Sequence, residues 1–269
     1  MERNTAKRTL EKLLSVCICL CMLGAMLPAQ VFAEEADTAQ TETVQDTAPK
    51  DTVYLSSADD LIQLAKNCRL DSWSQNRTVV LEADIDLSSV DFNGIPSFGG
   101  TWEGQNHAIT GLSLSQDGSV QGLFRYVQQG ALVRDMTVKG RIKPGGTRAS
   151  VGGIAGSNAG TIENCAFDGV VSGTSQIGGI AGVNTVKGSI NGCMVSGTVY
   201  GSHFVGGVVG QNDGVAANCT NAASVNTTVS QNEVKLNDLT LDNVLKTEKA
   251  NDVTDAGGIA GNNAGALGV

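Results

Sequence analysis

Histidines, phased cysteines, a carboxylate pair and a few aromatic rings are the side chains of this sequence that could do chemistry. The chain holds two histidines, His107 and His203, and neither has a second ligating side chain at helical or loop spacing. No H-E-x-x-H run is present, so the pattern of a zinc peptidase is missing. A G-x-S-x-G elbow and a phosphate-binding glycine loop are also missing. Asp84 and Asp86 alternate along a β-prone run, which would place both carboxylates on one strand face. Such a pair could bind calcium or act as acid and base on a glycan. A solvated strand face is the simpler expectation. Cys165, Cys193 and Cys219 recur at spacings of 28 and 26 residues. Stacked thiols that point the same way have poor geometry for a bridge, so they read as a buried ladder. Cys68 has no evident mate. Trp73, Trp102, Tyr200 and Phe204 could stack on sugars, but they form no periodic row and read as packing residues. No catalytic, cofactor-binding or metal-binding residue is assigned from these patterns.

The elements that must carry these residues are written in a repeat. Gly152-Gly153-Ile154-Ala155-Gly156 returns as Gly178-Gly179-Ile180-Ala181-Gly182, then Gly206-Gly207-Val208-Val209-Gly210, then Gly257-Gly258-Ile259-Ala260-Gly261. The steps are 26, 28 and 51 residues, a range that marks stacked coils or supersecondary units. Ile162, Ile190 and Ala216 share one phase, and Val171, Val199 and Val225 another. A degenerate earlier unit sets Phe124 against Ile154. It also sets Val133, Met136, Val138, Gly140 and Ile142 against Ile162, Cys165, Phe167, Gly169 and Val171. Two extra residues between Gly182 and Gly188 account for the longer step.

Short β-prone runs broken by Gly, with no helical period, predict an all-β chain. The architecture expected is a parallel β-helix of about 26–28-residue coils, with two or three strands per coil and equivalent residues stacked roughly 4.8 Å apart. The Gly-Gly-Ile-Ala-Gly run is read as one strand edge. Asn158, Asn184, Asn212 and Asn263 then fall at one turn. Asn suits a left-handed turn, and stacked amides can bond from coil to coil.

The flanks divide the chain into expected regions. Residues 1–33 combine Arg3, Lys7, Arg8 and Lys12, an apolar run from Leu13 to Ala29, and Val31-Phe32-Ala33, which is the form of a cleavable signal peptide. Residues 34–52 lack large apolar side chains and read as a disordered linker. Residues 53–121 read as an N-terminal cap and lead-in coil, with a helix opened by Ser57 and Asp60 and a strand over Thr78–Leu87. Residues 122–269 hold the repeats, with an insertion at about 227–255 that is either a mobile excursion or a binding loop. The sequence stops inside a unit after the last glycine turn, so a fragment of a longer protein is expected. The formal net charge of −9 disfavours nucleic acid or anionic membrane as a partner, because both need clustered cations. Membrane insertion of the mature chain is not expected, and no pattern points to a homo-oligomer.

The G-x-[IL]-[AV]-G-x-N-x-G pattern at 152–160, followed by Ile162 and Cys165, resembles the bacterial GLUG repeat over about 122–226 and again at 256–269. Phe98-Gly99-Gly100-Thr101-Trp102-Glu103-Gly104, with Ile109 to Leu112 and Gly122 to Phe124, resembles the lead-in that precedes such repeats. The resemblance implies a secreted or surface bacterial module of the kind found in adhesin-like proteins and in non-catalytic parts of immunoglobulin A peptidases. It implies no catalytic residue and no cofactor. The function expected is therefore a non-enzymatic extracellular stalk or adhesion scaffold for an unknown extracellular protein or glycan. A carbohydrate-active β-helix enzyme and an accessory domain of a larger secreted peptidase are the alternatives.

Overall fold

A computed structural model describes residues 51–146, 148–226 and 255–268. The proposed signal peptide, nearly all of the proposed linker and the charged part of the 227–255 insertion lie outside the described residues. Successive coils wind into four parallel sheets. The longest has eight strands, from Thr52–Leu55 through Thr78–Leu81, Thr101–Glu103, Leu132–Arg134, Thr161–Glu163, Ser189–Asn191 and Val215–Ala217 to Ala266–Gly268. A six-stranded sheet runs Ile95–Phe98, Phe124–Val127, Ala155–Asn158, Ala181–Asn184, Val209–Asn212 and Ala260–Asn263. The other two include Ala166–Ser172 beside Met194–Tyr200, and Ala149–Gly152 beside Ser175–Gly178. This is the expected parallel β-helix, with little helix.

A full coil has four strands, not two or three: Ala149–Gly152, Ala155–Asn158, Thr161–Glu163 and Ala166–Ser172 form one turn. The glycine run makes a corner, not a strand edge. Gly152 ends one strand and Ala155 begins the next. A Cβ on Gly153 would enter the Phe167 ring across the interior. One on Gly156 would sit 2.7 Å from the Val120 carbonyl carbon of the preceding coil. The repeated glycines therefore mark places where coil and core come too close for a side chain.

Stacking follows the sequence phases. Val79, Trp102, Val133, Ile162, Ile190, Ala216 and Leu267 form one column of paired residues. Val138, Phe167 and Val195 form another, and Ile142, Val171, Val199 and Val225 a third. Phe124 departs by one position: it pairs with Ala155 rather than standing where Ile154 does. Its larger ring packs against Phe98 and Trp102 at centroid distances of 5.3 and 5.2 Å. Asn158 pairs with Asn184 while Thr161 pairs with Ser189, so the two extra residues form a bulge at that corner. Val186 is 75% exposed at its tip.

The cap helix α1 spans Ala58–Asn67. Ser57 is its N-cap: its Oγ accepts from the Asp60 N–H at 3.2 Å and donates to Asp60 Oδ2 at 2.7 Å. Leu61 and Leu64 are buried against the core. The expected strand over Thr78–Leu87 is broken into Thr78–Leu81 and Ile85–Asp86, because the coil turns a corner between them. The first strand already begins at Thr52. After the undescribed segment, Ala256–Gly257 rejoins Val205–Gly206 in register. Among the described residues, no helix is long and apolar enough to cross a membrane.

Candidate functional site

The buried polar groups serve the scaffold. Asn158, Asn184 and Asn212 are fully buried at one corner. Asn158 Nδ2 donates to Asn184 Oδ1 at 2.8 Å, Asn184 Nδ2 to Asn212 Oδ1 at 2.8 Å, and Asn212 Nδ2 to Asn263 Oδ1 at 2.7 Å. The coil-to-coil amide ladder is as expected, but these residues are not left-handed. Positive φ falls instead at the next corner, on Asp135, Asn164, Gly192 and Asn218.

Cys165 and Cys193 are buried and Cys219 is half-buried, all as free thiols. Each donates to the carbonyl two residues before it, at 3.2 Å for Cys165 and Cys219 and 3.5 Å for Cys193. Burial pushes the Cys165 thiol up to about 12. Cys193 is raised by its neighbour Cys219 and by burial. Cys219 is lowered, because the Cys193 thiol beside it favours its thiolate.

The carboxylate pair is tied up. Asp84 Oδ1 accepts from the Ala108 N–H at 2.8 Å and lies 3.1 Å from His107 Nδ1. Asp86 accepts from the Ser88 N–H and Oγ, both at 2.9 Å. These bonds lower both carboxyl pKa values, with the backbone bond the larger cause in each. A glycosidase acid needs the opposite shift. His203 lies 4.0 Å from Asp255, and no group of three His, Cys, Asp or Glu side chains among the described residues could hold a metal.

The aromatics suited to sugar stacking are not those the sequence offered first. Trp102 is fully buried between Phe98 and Phe124. Trp73 carries the Arg77 guanidinium 4.6 Å from its ring centre. Tyr200 and Phe204 are half-buried. Tyr126 is the ring that sequence reading missed, at 47% exposed on the strand Phe124–Val127. Its column reads Ser97, Tyr126, Ser157, Val183, so one aromatic stands among smaller residues.

Tyr126 borders a groove of about 600 Å³ that also meets Pro96, Ser97, Gln128 and Ser157. Gln128 fixes its wall: its Nε2 donates to Asp71 O and Ser97 Oγ, both at 2.7 Å, and its Oε1 accepts from Gln75 Nε2 at 3.0 Å. A second groove of about 300 Å³ reaches the same Pro96 from the side of α1. Lys66, Arg69 and Arg125 line it, together with Asp91, Ile62 and Phe92. Arg125 donates from Nε to Val120 O at 3.1 Å and from Nη2 to Ser119 O at 3.3 Å.

The four parallel sheets, the in-phase columns and the buried amide ladder define a β-solenoid repeat protein. The GLUG motif matches residues 147–172, one coil of this stack. Halomucin of Haloquadratum walsbyi is 29% identical over 128 residues, which is 41% of this chain and 1% of halomucin. A solved candidate immunoglobulin A1 protease from Bacteroides ovatus is 20% identical, with a TM-score of 0.47 over 64% of this chain and 66% of that one.

Proposed function

We propose that this chain is a non-enzymatic extracellular scaffold of a surface repeat protein, a stalk or adhesion module that presents ligand-binding faces. The observation that carries the reading is the use made of its polar groups. The Asn column, the thiols and the Asp84–His107 and Arg134–Glu103 pairs all bind coil to coil or corner to strand. Such a rod keeps a fixed shape while its outer faces vary. The GLUG motif and the likeness to halomucin support a surface setting. The form of residues 1–33 supports export, with cleavage after Ala33.

The test incubates the exported protein with a panel of host and plant glycans and follows both retention and release of reducing or unsaturated ends. Retention without cleavage is expected. Release of new ends overturns the scaffold reading in favour of a carbohydrate-active enzyme. Mass spectrometry of the exported form is expected to find Glu34 first.

A further inference from the structure

We infer that the two grooves meeting at Pro96 form one trough for an acidic oligosaccharide, with an anionic sugar held by Lys66, Arg69 and Arg125 and a neighbouring ring laid on Tyr126. Charge favours an anion here. The chain is net negative, at −9, yet three of its 18 basic residues converge on one small groove against the single carboxylate of Asp91. The Lys66 and Arg69 side chains have no hydrogen bond or ion pair among the described residues. Like charges brought together repel, and here the fold supplies too few anions to offset them. Arg125 is held by the Val120 and Ser119 carbonyls through Nε and Nη2, so its planar group is fixed while Nη1 stays available for an anion.

Size and shape favour a sugar. A groove of about 300 Å³ suits one sugar-sized unit, at the small end of known ligand sites. The adjoining groove has a flat exposed ring beside Gln128 and Ser157, which matches the apolar face and hydroxyl rim of a sugar. An acidic peptide is the weaker fit. Phe124–Val127 is hydrogen-bonded to a strand on each side, so the floor offers no edge for an added strand.

The inference gives a ligand class to the display role proposed above, and the test separates the two. The intact chain is titrated by calorimetry with tetragalacturonic acid, a sulfated galactose tetramer, neutral galactotetraose and tetraglutamate. At least one acidic tetrasaccharide is expected to bind, and the neutral sugar not. Loss of two charge-assisted contacts in K66Q/R69Q is expected to weaken that binding by roughly tenfold or more. Tyr126→Ala is expected to weaken it as well, with Tyr126→Leu as a variant that keeps the bulk. All three side chains are solvent-facing, so circular dichroism and melting temperature are expected to stay near those of the parent. Whether the uronate or the sulfate binds identifies the source of the anion. The trough is overturned if neither acidic sugar binds, if K66Q/R69Q leaves affinity unchanged, or if tetraglutamate binds as tightly. Turnover of a bound acidic sugar supports the trough and overturns the scaffold reading alone.

Discussion

Replacing Asn184 with Ala tests whether the amide ladder holds the coils together. Asn184 is fully buried. Its Oδ1 accepts from Asn158, and its Nδ2 donates to Asn212 Oδ1, to Val215 O at 3.0 Å and to Gly188 O at 3.3 Å. The Ala variant loses two amide–amide bonds, each worth about 1 kcal/mol net. It also strands Asn212 Oδ1, which has no other donor among the described residues. A buried acceptor left without a donor costs about 1–3 kcal/mol. The expected loss is therefore about 3–5 kcal/mol, near the top of what single substitutions do. Urea unfolding followed by the fluorescence of buried Trp102 measures it, with hydrogen exchange over 181–217 as a local readout. Val186→Ser, at the exposed bulge, is the control and is expected to stay within about 0.5 kcal/mol. Asn184→Asp sharpens the test. It keeps the acceptor for Asn158 but turns a carboxylate toward Asn212 Oδ1 and two carbonyls, so burial and repulsion raise its folded pKa. A carboxyl raised in the folded state is least destabilising below its unfolded value of about 3.9 and costs more as pH rises above it. An Ala cost below about 1 kcal/mol, or an Asp variant insensitive to pH, refutes the ladder as a stabilising element.

Three further outcomes are expected. Iodoacetamide should label folded Cys219 first, because the neighbouring Cys193 thiol lowers it to about 7, while buried Cys165 and Cys68, held up near about 12 and about 11, should react only after denaturation; peptide mass spectrometry that finds Cys165 labelled as fast contradicts the assigned burial. Gly182→Ala should cost about 1–3 kcal/mol or more in urea, because its Cβ would strike the Ser150–Val151 backbone of the preceding coil; a neutral Ala there contradicts the coil spacing. Ser57→Ala should lower stability by roughly 1 kcal/mol through loss of the N-cap. Because the Ser57 hydroxyl holds the Asp60 carboxyl below its usual range, that difference should shrink as pH falls through the carboxylate range, as followed by exchange of the α1 amides.

Much of the fold was legible because identity and phase were written side by side. Gly153 and Gly156 recur since no larger residue fits there, and that requirement is carried by the chain itself. The columns Ile162–Ile190–Ala216 and Cys165–Cys193–Cys219 could be read from spacing, because a parallel stack repeats each residue's environment once per coil. Strand count per coil was not legible. Gly153 and Ile154 continue the apolar pattern across a corner, and a corner leaves no mark in apolar character. The trough was harder still. Arg125 lies over fifty residues from Lys66 and Arg69, and Tyr126 is one aromatic in a degenerate coil. Trp102 reads as a packing residue in the sequence, and strand parity places it in the core.

By itself, the sequence determined the repeat, its period, the columns of the core and the two-residue bulge before Gly188. These depend on sterics that recur in every coil. Only the tertiary structure decided that the glycine run is a corner, that Asp84 and Asp86 are held as structural acceptors, and that three cations and one tyrosine meet at Pro96. Those facts depend on which coil faces which cap, and winding the chain brings together residues whose spacing has no period.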